Sequence, residues 1–597
     1  MPTYRAPVDD YRFLLTELFD ASQLTAYQEY AEFPPDLMVS VLEEAGRFCE
    51  EVLAPLNASG DAEGCTWENG VVRAPSGFKE AFKAYADGGW IGLACDAAHG
   101  GQGLPLTLRF AVDEMVVASN LGFAMYPGLS AGAYETIHTH GSADQKALYL
   151  PSLARGEWAG TMCLTEAHSG TDLGIISTKA KQLDDGTYRV TGQKIFITAG
   201  AHDLTSNIIH LVLAKLPGAA AGTRGISMFI VPKFVTNADG SLGARNGVTC
   251  GSIEHKMGIK GSSTCVLNFD DAVGYLIGEP SKGMRAMFTM MNGARLGVGL
   301  QGLGLADHSY HNAVAYARER LQGRSLSGTK NPAGEADPIL VHAETRRSLL
   351  TMRAFVEGAR ALGTWTGMLI DQELRDPSEE KRAEATDLVA LLTPIIKAFF
   401  TDLAFESTNL GMQVYGGHGY IRESGMEQFV RDARIGQIYE GTNHVQALDL
   451  VGRKLREGDG RLVKRYAAAL TSEITACAPN AALADLVAGL TRAAGTLQKA
   501  TEWLAQHAAT NPDEAGAAAT EYLRLFGYVA LGHMWLRTAR VAAVKLAEGG
   551  GFPKAHYEAK LMVARFYFQR MLPNTGALYQ SLTAGADVVM NFPAESF

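Results

Sequence analysis

The hydrophobic period of this chain changes twice, and that change constrains the fold more than any other feature of the 597 residues. From Asp36 to about Ala159, apolar residues recur at helical spacing. Val39, Leu42, Ala45 and Val52 do so in DLMVSVLEEAGRFCEEVLAPL. From about Gly160 to Ile277 the pattern gives way to short β-branched and aromatic runs, TYRVTGQKIFITAG, IIHLVLAKL and ISMFIVPKF, separated by Gly, Pro, Asn and Asp. From Gly283 helical spacing returns, with Pro- and Gly-rich breaks at 323–337. The expected fold is mainly α with a central antiparallel β domain. Its segments are an extension (1–35), a helical domain (36–159), the middle β domain (160–280), a helical bundle (281–458) and a further C-terminal helical domain (459–597). Strands and helices do not alternate throughout, which excludes a Rossmann chain. In the last segment, Leu523, Phe526, Ala530, Met534 and Arg537 form one helical stripe, expected to be core or subunit interface.

Charge and cysteine usage remove several function classes. A net charge of −11 argues against a chain-wide nucleic-acid footprint. The seven cysteines are scattered and contain no CxxC pair, so neither a disulfide framework nor a metal site is expected. The start has no uninterrupted apolar stretch and carries Asp9 and Asp10, unlike a secretory signal. No segment reads as the run of ~18 apolar residues that a membrane helix needs. A cytoplasmic protein is the expectation.

Four segments carry chemistry. Cys163-Leu164-Thr165-Glu166-Ala167-His168-Ser169-Gly170-Thr171-Asp172 is rich in hydroxyls and backbone N–H groups that suit a heteroaromatic ring and a pyrophosphate. Lys194-Ile195-Phe196-Ile197-Thr198 places an aromatic and a hydroxyl two apart on a strand, hence on one face. Gln413-Val414-Tyr415-Gly416-Gly417-His418-Gly419-Tyr420 lets backbone approach a ligand closely, but is neither a GxGxxG nor a P-loop pattern. Ile438-Tyr439-Glu440-Gly441-Thr442-Asn443 sets a single carboxylate among apolar, aromatic and small neighbours, where desolvation moves its pKa towards neutrality and suits a general base. Each segment alone also reads as a turn, a buried strand or a helix end.

In order and spacing, the four together resemble the acyl-CoA dehydrogenase superfamily. So do Gly141-Ser142-x-Asp144-Gln145-Lys146-x-x-Tyr149-Leu150-Pro151, Gly156-Glu157 and Tyr316-Ala317-Arg318-Glu319-Arg320. The resemblance covers roughly residues 36–456. The extension and the long tail are similar to a long subgroup that includes 3-(methylthio)propanoyl-CoA and bacterial fatty-acyl-CoA dehydrogenases.

The resemblance implies FAD as cofactor and an acyl-CoA substrate. It also implies an electron-transferring flavoprotein as electron partner, and a homodimer. Leu164, Thr165 and Thr171 match the first flavin loop, Phe196 the aromatic that lies against the flavin, and Thr198 the hydroxyl near N5. Arg320, Gln413, Gly416 and Gly417 match positions that reach a neighbouring subunit's FAD, and Thr442 and His444 continue along the cofactor. Glu440 matches the catalytic base, flanked by Tyr439 and Gly441 at the substrate. Arg295 matches an arginine beside an alternative base position, which is Ala294 in this chain and cannot accept a proton.

Three positions depart from the family pattern: Ala167-His168 replaces Pro-Gly, Gly323-Arg324 replaces Phe-Gly, and His418 replaces Asn, where it reads as a loop-packing residue. The acyl-lining helix falls near 121–134, with Ala124, Gly128 and Gly132 where relatives hold larger or polar groups. The facing helix is thinned by Gly297, Gly299, Gly302 and Gly304. These glycines suit either close helix packing or room for a medium-to-long acyl chain. Two rival readings stand beside this one. One is a 3-(methylthio)propanoyl or aryl-propanoyl substrate. The other, of a different class, is a DNA-binding stress-response flavoprotein using the basic run 453–465.

Overall fold

Seven strands form the sheet at the centre of the β segment: β1 (Trp158–Cys163), β2 (Lys179–Gln182), β3 (Tyr188–Thr198), β4 (Asn207–Lys215), β5 (Ile226–Pro232), β6 (Val248–Ile253) and β7 (Thr264–Ile277). The computed structural model describes residues 2–597. The strand order is β6-β7-β3-β2-β4-β1, and β5 pairs with both β7 and β4, so the ladder returns on itself. Most ladders are antiparallel, as the sequence suggests, but β1 and β2 pair with β4 in parallel. The sheet is therefore mixed. Its cause is topological: the chain reverses after β2 and again after β3, which returns β4 to the direction of β1.

The uninterrupted apolar runs of β4 and β5 follow from burial on both faces. Ile209, Leu211, Leu213, Ile226, Met228 and Ile230 face one core cluster, with Ala133, Tyr134 and Ile137 of helix α1 (Leu121–His140). Val212, Ala214, Phe229 and Val231, one residue out of phase, face another. A Cβ at Gly160 would lie 2.3 Å from the Ala133 Cβ, so this glycine sets how closely α1 lies on β1.

Two compact units divide the chain. One comprises Arg47–Pro105 and Met115–Gly297; the other comprises Met1–Gly46, Leu106–Glu114 and Val298–Phe597. The second is built on α2 (Gly283–Glu319, from Val298 onward), α3 (Ala343–Arg375), α4 (Glu379–Tyr415), a short α5 (Asn443–Asp449) and the tail helix α6 (Pro512–Glu548). Helix α4 is the one helix among the described residues long and apolar enough to cross a membrane, which the sequence reading did not register. In this protein it is a core helix, 78% buried over its apolar window. The stripe of the tail is core as well: Leu523, Phe526, Ala530 and Met534 are buried, and the Arg537 guanidinium lies 4.6 Å from the Phe19 ring centroid. The aromatic pair Tyr567 and Phe568 is buried too.

The glycines of α2 divide by role. A Cβ at Gly299 would meet Ile396 Cγ2 at 2.6 Å, and one at Gly302 would meet the Phe400 carbonyl oxygen at 3.2 Å. These two serve close packing against α4 and make no room for a ligand. A Cβ at Gly297 meets nothing within 4 Å.

Candidate active site

Glu440 sits in a turn between α4 and α5 with a left-handed backbone, φ +57°, followed by Gly441 at φ +81°. A glutamate in that region costs on the order of 1–3 kcal/mol and persists only where its surroundings impose it. The surroundings are specific. Gln446 Nε2 donates to the Glu440 carbonyl at 3.1 Å, and Lys397 Nζ donates to the Gly441 carbonyl at 2.7 Å. Asn443 accepts from Lys397 at 2.9 Å and donates to Asp402 at 2.7 Å and to the Ala398 carbonyl at 3.1 Å. The Thr442 hydroxyl caps α5 by accepting from the Val445 N–H at 3.3 Å. His444 is exposed, with Nδ1 3.4 Å from the Thr520 hydroxyl. Tyr439 donates its hydroxyl to Gln301. Burial, then the neighbouring Glu440 carboxylate, pushes the Tyr439 pKa up, so this hydroxyl stays protonated beside Glu440.

In the same unit a groove of about 560 Å³ is lined by Tyr316, Arg320, Gln322, Gln413, Gly416, Gly417 and His418, among others. Two segments singled out separately in the sequence, 316–320 and 413–420, thus share one surface. A Cβ at Gly416 or Gly417 would meet nothing within 4 Å, and Arg320 is exposed. Tyr316 stacks on Tyr415 at 4.0 Å, and its hydroxyl lies 3.1 Å from Nδ1 of the exposed His418. Arg324, at a position departing from the family, ties down its own loop, donating to the carbonyls of Asn331 (2.8 Å) and Gly334 (2.6 Å) and pairing with Asp337 (3.3 Å).

The other unit holds the loop 164–172 and strand β3. Opposite Cys265 and Leu267, β3 offers Ile197 and Lys194, so two residues, Ile195 and Phe196, stand against one. This bulge breaks the strand's alternation. Phe196 takes φ +57° and is 59% exposed, whereas Lys194, two residues before it, is fully buried. An exposed aromatic held in a strained bulge offers a flat face to a ring. Thr198 closes the strand, paired with Thr264.

Beneath the loop lies an ion pair that the sequence reading missed. Lys194 Nζ bonds the Leu164 carbonyl and the Glu166 carboxylate, each at 2.9 Å. Glu166 also accepts from the N–H and hydroxyl groups of Ser177 and Thr178. The Ile195 N–H donates to the Thr165 carbonyl at 2.9 Å, joining loop to strand, while Thr171 is exposed at the loop's far end. Burial pushes the Glu166 pKa up, but the bonds from Ser177, Thr178 and Lys194 outweigh it and hold the pKa at about 2. A carboxylate depressed in the folded state adds stability above its unfolded pKa, near 4.5, and loses it as pH falls towards 2. Acid should therefore loosen this loop across that window. Lys194→Met should move the loss of bound flavin to higher pH; an unchanged acid profile of flavin fluorescence would contradict this.

Along α1, Ala124 is buried and Gly128 is exposed with open space around its Cβ position. A Cβ at Gly132 would lie 3.0 Å from Met290 Cγ, so a thioether side chain already occupies that space. Arg295 is buried, with Nη1 3.4 Å from Asn292 Oδ1.

A helical–β–helical order, a carboxylate held in a left-handed turn and an exposed aromatic in a strained bulge fit a flavin-dependent dehydrogenase. Comparison with known proteins gives the family. Models of the acyl-CoA dehydrogenase N-terminal, middle and C-terminal domains match residues 39–157, 161–272 and 281–455, and an acetyl-CoA dehydrogenase C-terminal-like model matches 470–593. The chain is 41% identical over 589 residues to the 3-methylmercaptopropionyl-CoA dehydrogenase of Ruegeria pomeroyi, covering 98% of this chain and 99% of that protein. It is 33% identical to the broad-specificity linear acyl-CoA dehydrogenase FadE5 of Mycobacterium tuberculosis, covering 96% of each. The structure of Caenorhabditis elegans ACDH-11 in complex with C11-CoA shares the fold, with TM-score 0.78 at 19% identity over 99% of this chain and 96% of that one. The chain belongs to the acyl-CoA dehydrogenase family, FAD-dependent oxidoreductases acting on CH–CH bonds. Its residues fit that cofactor. The exposed Phe196 ring suits the flavin, and Arg320, Gln413 and the open Gly416-Gly417 backbone suit a pyrophosphate-bearing nucleotide.

Proposed function

We propose that this protein dehydrogenates an acyl-CoA thioester between Cα and Cβ with Glu440 as the base, and that 3-(methylthio)propanoyl-CoA is its preferred substrate. The observation that carries the base is the left-handed turn at Glu440, held by side chains on the carbonyls of Glu440 and Gly441. The Glu440 backbone N–H donates to the thioester carbonyl and stabilises the negative charge that develops there. Its carboxylate removes the acidified α-proton. Tyr439 and Gly441 border the substrate on either side of the base. Bound FAD would supply the acceptor for the β-hydrogen, which leaves as hydride. The product is the trans-2-enoyl-CoA, and an electron-transferring flavoprotein is the proposed electron acceptor. The protein acts as a homodimer in this reading, with Arg320, Gln413, Gly416 and Gly417 of one subunit on the other's cofactor. Light scattering that gives a monomer at micromolar concentration would contradict it.

The methylthio substrate is supported by the full-length likeness to the Ruegeria pomeroyi enzyme and by Met290, whose side chain fills the space beside Gly132 on the helix expected to line the acyl tail. A second reading, a medium-to-long linear acyl chain, is favoured by the open space at Gly128. Anaerobic titration with a panel of thioesters, following flavin absorbance, separates them. In the first reading 3-(methylthio)propanoyl-CoA gives the highest kcat/KM. In the second, octanoyl-CoA or a longer thioester does, and Gly128→Leu then lowers kcat/KM for that substrate about 10-fold or more while leaving butanoyl-CoA little changed. Equal losses for both lengths would place the acyl tail elsewhere.

A further inference from the structure

Helix α4 contains one residue that its packing does not explain. Lys397 is fully buried in the run Thr393-Pro394-Ile395-Ile396-Lys397-Ala398-Phe399-Phe400, whose other members are all buried and nearly all apolar. A residue that only filled this space would be apolar, because taking an ammonium out of water is costly unless it is bonded. The ammonium is bonded to the turn that carries Glu440, through the Gly441 carbonyl at 2.7 Å and Asn443 Oδ1 at 2.9 Å. Asn443 is held in turn by Asp402, five residues further along α4, and Asp402 also accepts from Gln437 at 2.7 Å, upstream of the base. From the other side Gln446 holds the Glu440 carbonyl at 3.1 Å. The two peptide planes after Glu440 are thus fixed independently, one by Gln446 and the next by Lys397. A Cβ at Gly441 would meet Gln446 Nε2 at 2.6 Å, so the glycine is also what lets Gln446 reach in.

We propose that Lys397 is a positioning residue for the base: its ammonium holds the Gly441 carbonyl, and with Gln446 it locks the left-handed turn that presents the Glu440 carboxylate to the substrate's α-carbon. This rests on Glu440 as the base. Lys397 touches neither substrate nor cofactor in this scheme; it sets where Glu440 stands. Released from Lys397, the turn relaxes towards ordinary backbone angles and the carboxylate moves off the α-proton. Displacement of a reacting group by about 1 Å costs on the order of 10²-fold in rate.

The test is Lys397→Met in the FAD-loaded enzyme, with 3-(methylthio)propanoyl-CoA and octanoyl-CoA as probes. Flavin bleaching under anaerobic single turnover, expressed per bound flavin, should slow about 10²-fold at saturating substrate while KM stays within about threefold. Exchange of the α-hydrogen with D₂O, read by NMR, should slow in parallel, and the α-deuterium isotope effect on bleaching should rise. These readouts report on the proton transfer, which a general loss of stability would leave alone. Gln446→Met should lose about tenfold or more in the same assays. The double variant should lose less than the product of the two, since both hold one turn. Bleaching and α-exchange per bound flavin within twofold of wild type in Lys397→Met overturn the proposal, as does a loss that follows FAD content alone. Should Lys397→Met not fold, wild-type rates in Gln446→Met overturn it instead. Glu440→Gln run alongside separates the two ideas. If it still bleaches rapidly, the base reading fails; if it is inactive while Lys397→Met is unimpaired, only the positioning role fails.

Discussion

Glu440→Gln is expected to bind FAD and acyl-CoA and to lose turnover by several orders of magnitude. The substitution keeps side-chain size. It also keeps the turn, because the anchors from Gln446 and Lys397 reach backbone carbonyls, not the carboxylate. The base alone is removed. A positioned general base is typically worth ~10²–10⁴-fold, and more where nothing replaces it. Nothing in the motif set replaces it here: the alternative base position on α2 is Ala294, beside Arg295. The Tyr439 hydroxyl is no substitute, since burial and the neighbouring Glu440 carboxylate keep it protonated. Stopped-flow bleaching of the flavin measures the loss directly. A rate near wild type in this variant would assign the proton to another group.

How much of this site was legible depended on the range of the interaction that builds it. The order of segments could be read because periods of 3.6 and 2 are local, and Glu440, Arg320 and Gln413 stood out as candidates because each stands in a short contiguous motif. Strand direction is not local, so the parallel pairing of β1 with β4 was missed. The bulge at Phe196 was missed for a related reason. Alternation along KIFIT puts Phe196 on the face of Lys194, and only the partner strand, with one residue against two, turns it outward. The α2 glycines illustrate an ambiguity that sequence alone leaves open. Gly299 and Gly302 meet α4 and serve packing, whereas Gly128 on α1 has open space. Lys397 left a signal that could have been read: it is a lone ammonium in an apolar run, a position lysine rarely takes unless paired. Asp9 and Asp10 were legible only as residues foreign to a signal peptide. Asp10 pairs with Arg360, 350 residues away, a connection no local pattern can show.

That connection leads to the largest expected effect on stability. Arg360 of α3 is 1% exposed and bonds three carboxylates: Glu114 at 2.7 Å, Asp307 at 2.7 Å and Asp10 at 2.6 Å. Glu114 also accepts the Tyr11 hydroxyl, and Lys560 pairs with Asp10 (2.8 Å) and Glu357 (3.0 Å). One guanidinium thus joins the N-terminal segment, the helix Leu106–Ser119, α2 and α3, and Lys560 extends the network to the helix Lys554–Phe566. Burial disfavours the charge on Glu114 and Asp307, and Arg360 offsets it at both, holding the Asp307 pKa at about 2 while Glu114 remains raised. Arg360→Met fills the space but leaves two fully buried carboxylates without their main cation. Breaking a buried network from one side typically costs ~3–5 kcal/mol, against ~0–1 kcal/mol for an exposed pair such as Arg347–Glu344. The variant should unfold at a much lower denaturant midpoint and lose hydrogen-exchange protection first at residues 8–18, whose Asp10 and Tyr11 are held by the network. Neutralising the orphaned acids as well, in Arg360→Met with Glu114→Gln and Asp307→Asn, should recover much of the loss, because desolvated charge and not volume is what the single change exposes. If the triple variant is no more stable than the single one, the network acts through shape and not through charge.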